Sequence, residues 1–139
     1  MTPEQLDLVE SSLVAVGPRL DDVAAAFYVR LFELDAAARE LFSVDPVVQR
    51  AKFASELAFV VSVMRRHGAF IDTAGELGRR HAASGVAPEH FRTGGVALLE
   101  VLAATLDDAW TPAVADAWRL AYRLTTEVML AGAARPRAC

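Results

Sequence analysis

Hydrophobic residues recur along the chain with the period of an α-helix. In the first segment Leu6, Val9, Leu13 and Val16 are three or four residues apart, which places them on one face of a helix. No segment shows the strict alternation and turn dipeptides of paired β-strands. Two further stripes comprise Leu20, Val23, Phe27 and Leu31, and then Phe53, Leu57, Val60, Val61 and Met64. The pattern therefore predicts an all-α protein.

Prolines and glycines mark where these helices begin and end. Thr2-Pro3, Asp45-Pro46 and Thr111-Pro112 each combine a capping side chain with a first-turn proline, and Pro88 begins another helix. The predicted helices span 3–16, about 46–66, about 73–83, about 88–108 and about 112–132. Another helix begins after Gly17-Pro18 and carries the stripe from Leu20 to Leu31. A short turn is predicted at 36–42. His67-Gly68 is predicted to close the third helix, and Gly85 to adopt a left-handed conformation after the fourth.

The length of 139 residues predicts one domain with a sizeable core. We assign this domain to residues 1–134 and a tail to residues 135–139. Hydrophobic residues make up 54% of the chain, above the roughly 45–50% of a typical domain. Such an excess fits either a tightly packed helical core or a core that also encloses a large apolar ligand.

Charge and cysteine content exclude several classes of partner. The net charge is −4, and the single lysine and the arginines are scattered, so no basic surface for nucleic acid or a membrane is predicted. No apolar run approaches the ~20 residues of a membrane span. The N-terminus lacks the basic and apolar regions of a signal peptide. The single cysteine, Cys139, cannot form an internal disulfide, and we predict a cytoplasmic protein.

His81 is the first candidate for chemistry. It lies four residues after Leu77, on the same helix face, just before the Gly85 corner. It is either a structural histidine or a metal ligand with one ring nitrogen donating to a backbone carbonyl. No helix carries the paired-histidine or Glu-x-x-His spacing of a zinc or di-iron centre. A single protein ligand suits iron when a macrocycle supplies the other donors, as in haem.

A second group of candidates lies upstream. Tyr28 is one position past the buried Phe27, so its ring is either on the surface or turned inward with a hydrogen-bond partner. Phe42 is either a core residue or a contact for a flat cofactor. Gln49 is one turn before Phe53 on an otherwise apolar face, where its amide needs partners. Lys52 is either solvated or able to reach a cofactor carboxylate.

The periodicity does not distinguish a four-helix bundle from a globin-type packing. Several segments, taken in their order along the chain, resemble one family. These are Phe27-Tyr28-Val29-Arg30-Leu31-Phe32, Leu41-Phe42, the His81-to-Phe91 corner with Gly85-Val86-Ala87-Pro88-Glu89-His90-Phe91, and Ala117-Trp118-Arg119-Leu120-Ala121-Tyr122. Together they resemble the bacterial single-domain, flavohaemoglobin-like branch of the globins, over nearly the whole chain. The resemblance implies a globin fold, a three-over-three helical sandwich with the D helix absent or minimal.

The resemblance also implies roles for individual residues around haem b. His81 corresponds to the iron ligand, with Leu77, Val86 and Phe91 around it. Phe42 corresponds to the phenylalanine that wedges the haem, and Lys52 lies toward a propionate. Tyr28 corresponds to the hydrogen-bond donor of the ligand pocket, with Gln49 and Phe53 beside it. The link from Phe42 to Gln49 is shorter than in relatives, so Val48 or Arg50 is an alternative to Gln49.

Three positions depart from the family pattern. Flavohaemoglobins have a tyrosine and a glutamate that hydrogen-bond around the iron-ligating histidine. Here Phe91 and Ala133 occupy those positions, and Ser84 replaces the usual aromatic residue of the corner. The departures imply a neutral imidazole that donates less electron density to iron, hence less push toward O–O cleavage.

The resemblance therefore implies reversible binding of O₂, NO or CO, for oxygen binding and transport or NO handling, by a monomer or homodimer. An alternative is NO dioxygenation with an external reductase. Another is a haem-based sensor or redox protein that acts through a partner, and a haem-free helical interaction domain is the last.

Overall fold

The computed structural model describes residues 1–42 and 45–135. Over these residues six α-helices follow one another, with three 3₁₀ turns between them and no β-strand. The helices are α1 (Pro3–Val16), α2 (Leu20–Leu34), α3 (Pro46–Val63), α4 (His67–Ala83), α5 (Pro88–Leu106) and α6 (Pro112–Ala134). The 3₁₀ turns are Gly17–Arg19, Ala36–Leu41 and Asp107–Ala109. The predicted all-α class is confirmed, and Cys139 lies outside the described residues.

Side-chain caps hold the starts of the helices that the prolines predict. The Thr2 hydroxyl accepts from the Gln5 amide at 3.1 Å, and the Gln5 side chain accepts from the Thr2 amide at 2.9 Å. Asp45 accepts from the Val47 amide at 2.8 Å at the start of α3. Each cap satisfies an amide that has no partner within the first helical turn. The predicted starts of α1, α3, α5 and α6 are confirmed.

The predicted boundary around His67-Gly68 is wrong. α3 already ends at Val63, and α4 begins at His67, six residues before the predicted start. Phe70, Ala74 and Leu77 are buried along one face of α4. Burying this face outweighs the roughly 1 kcal/mol that a glycine costs in a helix. The pair therefore opens a helix instead of closing one.

A sharp corner follows α4. Gly85 has φ +93°, the left-handed conformation that the sequence predicts, and this is tolerated by glycine because it has no Cβ. The amide of Val86 donates to the His81 carbonyl at 3.0 Å, which satisfies a carbonyl at the helix end. The corner thus turns the chain from α4 into α5 directly beside His81.

The helices pack as two layers of three. α1 packs against α6 and less extensively against α3 and α5, and α2 also contacts α3. The most extensive contact joins α4 to α6, and α2 packs along α5. The main core lies between the layers, and a smaller cluster under α4 holds Val60, Val63, Phe70, Ala74, Leu77 and Met129. The predicted globin-type sandwich is confirmed.

One polar pair joins α1 to α6 inside the main core. The indole Nε1 of Trp118 donates to the Ser12 hydroxyl oxygen at 2.7 Å, and that hydroxyl donates to the Leu8 carbonyl at 2.7 Å. Both side chains are buried. Removing the hydroxyl would leave the indole N–H without an acceptor in a dry environment.

We therefore expect Ser12→Ala to lower the free energy of unfolding by about 1–3 kcal/mol, the usual cost of a buried unsatisfied group. Urea denaturation followed by circular dichroism measures this. Ser11→Ala, at an exposed position of the same helix, is the control and should change little. Equal stability of the two variants would contradict the assigned role of the pair.

Candidate functional site

A cavity of about 510 Å³ opens between α3 and α4. Its size falls in the range of about 300–1,000 Å³ that is typical of small-molecule pockets. Side chains from α2, α3, α4, α5 and α6 line it. All nine residues that the sequence predicts for the site line this cavity: Tyr28, Phe42, Gln49, Lys52, Phe53, Leu77, His81, Val86 and Phe91.

His81 lies on the α4 side, in the last turn before the corner. Its Nδ1 is 2.8 Å from the Leu77 carbonyl oxygen. Because a carbonyl can only accept, Nδ1 carries the proton in this pair, and it is Nε2 that is left to bind a ligand. The Phe91 ring stacks near the imidazole, with ring centroids 6.1 Å apart and planes inclined by 28°. The arrangement presents one orientated nitrogen that could ligate a metal.

Tyr28, on α2, also lines the cavity, and its ring is turned inward. The ring makes edge contacts with Phe42 and Phe53, at centroid distances of 5.1 and 5.7 Å. The Gln49 side-chain nitrogen donates to the Tyr28 hydroxyl oxygen at 2.8 Å. Of the two orientations that the sequence leaves open for Tyr28, the structure has the inward one.

The environment of Tyr28 keeps its hydroxyl protonated. Burial raises the pKa of Tyr28 to about 12, with a smaller increase from the nearby Glu56 carboxylate, while the Gln49 hydrogen bond lowers the pKa in part. The oxygen accepts from Gln49, so the hydroxyl proton is not used in that bond. Among the described residues no acceptor is found for this proton. It can therefore be donated to a molecule in the cavity.

The three candidates for the position facing Tyr28 differ in placement. Val48 is exposed, and the Arg50 guanidinium pairs with Asp21 at 3.4 Å (Nε to Oδ1) on the outside of the fold. Gln49 lines the cavity and contacts Tyr28. Within this group of three, the geometry favours Gln49.

Charged side chains lie at the rim of the cavity. Lys52 is exposed and lines it. Glu56, which the sequence analysis missed, is half-buried, and its Oε1 is 3.7 Å from Arg80 Nη1. This pair joins α3 to α4 beside His81. Glu56 lies seven residues after Gln49, which puts both side chains on one face of α3, and this spacing could have identified Glu56 as a site residue.

α6 forms more of the cavity than the sequence analysis predicted. Met129, Thr125 and Trp118 line it, and Tyr122 donates its hydroxyl to the Phe91 carbonyl at 2.5 Å. Ser84 also lines the cavity, whereas Ala133 is not part of its wall. The sequence analysis predicted the helix at about 112–132 but assigned none of its side chains to the site.

The donor set limits which group the cavity could hold. Around it and elsewhere in residues 1–42 and 45–135, no three histidine, cysteine or carboxylate side chains come together as a metal site. A metal at His81 would therefore need other donors from a bound macrocycle. The walls are mostly apolar, and the lone pair on Nε2 of His81 suits iron. These features fit haem and define a helical haem-binding protein.

The sequence comparisons agree with this class. The family model described as Globin matches residues 25–129, so the chain belongs to the globin family. It is 31% identical to a flavohemoprotein of Deinococcus radiodurans over 94% of the chain, but spans only 33% of that protein. It is 30% identical to a leghemoglobin of Canavalia lineata, covering 86% of this chain and 87% of that one. The predicted family is confirmed.

One further relative and one solved structure are similar to the chain. The chain is 29% identical to anaerobic nitrite reductase HBII of Casuarina glauca, over 87% of this chain and 85% of that protein. The crystal structure of a hexacoordinated heme protein from a tardigrade superposes with a TM-score of 0.87 and 17% identity, covering 97% of this chain and 96% of that one. This likeness shows the fold. Binding of haem and of diatomic gases is a property of the globin family, to which this chain belongs.

None of the helices in the described ranges combines the length and the apolarity that crossing a bilayer requires.

The pKa of Tyr28 generates a prediction for alkaline solution. Burial also raises the pKa of Tyr122 to about 12. The unfolded chain releases these protons from about pH 10, whereas the folded protein retains them until about pH 12. The unfolded state then binds fewer protons, so the free energy of unfolding must fall as the pH rises through this interval.

We expect Tyr28→Phe to lose less stability than the wild type between pH 10 and 12. Urea denaturation across this interval measures the difference, and phenolate absorbance reports the ionisation. The variant lacking both tyrosines is the spectroscopic control. Ionisation of both tyrosines near pH 10 in the folded protein would contradict the prediction.

Proposed function

We propose that this globin binds haem b through His81 and reversibly holds O₂, with NO and CO as related ligands. The observation that carries the proposal is that two features line the same cavity. One is His81, whose ring is orientated by the Leu77 carbonyl, and the other is the hydrogen-bonded Tyr28–Gln49 pair. We further propose that the chain belongs to the bacterial single-domain branch and acts in the cytoplasm.

The surrounding residues would hold the group by packing. Leu77, Val86 and Phe91 would contact the face nearer His81, and Phe42 and Phe53 the opposite face. Lys52, at the exposed rim, would pair with a propionate. Haem would supply an iron at which a diatomic gas can bind.

Tyr28 would then act as the donor to the gas ligand. Its high pKa keeps the proton on the hydroxyl, and Gln49 fixes the oxygen from the other side. A hydrogen bond to an acceptor with partial negative charge contributes roughly 1.5–3 kcal/mol. The bond would mainly slow release of the ligand.

The environment of His81 favours holding a gas over activating it. Its Nδ1 donates to a neutral carbonyl, and the side chain stacked on it is the hydrocarbon ring of Phe91. No carboxylate is found at hydrogen-bond distance from Nδ1 within the described residues. The ring would therefore donate less electron density to iron than a histidine paired with a carboxylate.

A second candidate is NO dioxygenation with a separate reductase. The Deinococcus radiodurans relative is named a flavohemoprotein, and the chain spans a third of its length. Sustained NO consumption by the purified protein with an added reductase would favour this candidate. A six-coordinate spectrum without added ligand would instead favour the sensor or redox alternative.

His81→Ala tests the assignment of the metal ligand. We expect the purified wild type to show a Soret band and pyridine haemochrome of haem b, and the variant to lose most of both. His67→Ala is the matched control, because His67 is exposed at the start of the same helix. Absence of the band from wild-type protein supplied with haem would overturn the proposal.

Tyr28→Phe tests the hydrogen-bond donor. We expect the rate of O₂ dissociation to rise about ten- to hundredfold, corresponding to a lost bond of roughly 1.5–3 kcal/mol. Stopped-flow displacement of O₂ measures the rate. Tyr122→Phe is the control, since that hydroxyl already donates to the Phe91 carbonyl. An unchanged rate for Tyr28→Phe would contradict its proposed role.

A further inference from the structure

α4 and α6 touch backbone to backbone. A Cβ placed on Gly78 would lie 2.5 Å from the carbonyl carbon of Met129 and overlap its oxygen. A Cβ placed on Gly132 would lie 2.5 Å from the Cα of Gly75. Real Cβ atoms essentially never approach closer than 3.0 Å. The two helices therefore meet at two places one turn apart, where Gly78 and Gly132 have no room for a Cβ.

The contact between Gly78 and Met129 lies next to the carbonyl that orientates the His81 ring. The Leu77 carbonyl accepts from His81 Nδ1 at 2.8 Å. The same peptide unit continues into Gly78, which rests on the backbone of Met129. A displacement of this peptide would move both the helix that carries His81 and the carbonyl that orientates its ring.

α6 is also the main support of α4. α4 makes its most extensive contact with α6 and a smaller one with α3, and the cavity separates it from α2. Backbone contacts of this kind cannot adjust by rotating a side chain. The separation of α4 from α6 is consequently fixed at Gly78, three residues before His81.

We infer that Gly78 and Gly132 are positioning residues for the metal ligand. Their missing side chains let α6 set the depth and orientation of His81 in the cavity, and so the strength of its bond to iron. This inference rests on the proposed function, because it concerns the ligation of haem by His81.

Gly78→Ala is the central test, read on haem-loaded protein. We expect the iron–histidine stretching band in resonance Raman spectra to shift, and haem transfer to an acceptor apoprotein to become roughly ten- to hundredfold faster, the usual effect of disturbing the support of a metal ligand. Gly132→Ala is a second variant on the other helix. It should shift the band as well, and it carries the test if Gly78→Ala does not fold.

Three controls separate positioning from general loss of stability. A Cβ on Gly75 lies in the same contact but 3.9 Å from its nearest neighbours, and a Cβ on Gly68, on the same helix, meets nothing within 4 Å. Gly75→Ala and Gly68→Ala should keep the wild-type band and transfer rate. Ser12→Ala, which lowers stability at a residue that does not line the cavity, should also keep the wild-type band.

The outcomes distinguish this inference from the proposed function. A wild-type band and transfer rate in folded Gly78→Ala or Gly132→Ala, with haem bound, overturn the inference and leave the proposed function standing. Equal band shifts in Ser12→Ala also overturn it, because stability would then explain the effect. Wild-type protein that binds no haem overturns both.

Discussion

The hydrogen bond between His81 and the Leu77 carbonyl is the interaction on which the site depends. A carbonyl oxygen cannot donate, so Nδ1 carries the proton of this bond and Nε2 is the nitrogen left for a ligand. Without this hydrogen bond the His81 ring could rotate or exchange tautomers. The bond joins positions four residues apart, so it exists only while α4 is helical to its last turn. The end of α4, the Gly85 corner and the orientation of the His81 ring therefore depend on one another.

The helices could be predicted because their ends are local. Thr2, Asp45 and Thr111 cap the amides of their own first turns, and the following prolines cannot continue a preceding helix. The start of α4 could not be predicted in this way. Gly68 indicates an end when only neighbours are considered, but burial of Phe70 depends on residues from α3 and α6. Tertiary packing decides that boundary.

The site was predictable by residue type and less so by contact. His81 and Tyr28 followed from spacing and resemblance, and both line the cavity. The hydrogen bond from Gln49 to Tyr28 depends on how α3 docks against α2, which no local pattern fixes. Gly78 was missed for a related reason. A glycine in a helix looks like a local weakness until the backbone that rests on it is known.

The single proton of the Tyr28 hydroxyl has a consequence for ligand discrimination. A hydrogen-bond donor stabilises a bound ligand in proportion to the negative charge on that ligand. On the proposed function, O₂ gains from Tyr28 because it becomes polarised in the pocket, whereas CO stays nearly apolar and gains little. The Tyr28–Gln49 pair would thus lower the CO-to-O₂ affinity ratio without narrowing the cavity, so the selection would be electrostatic and not steric.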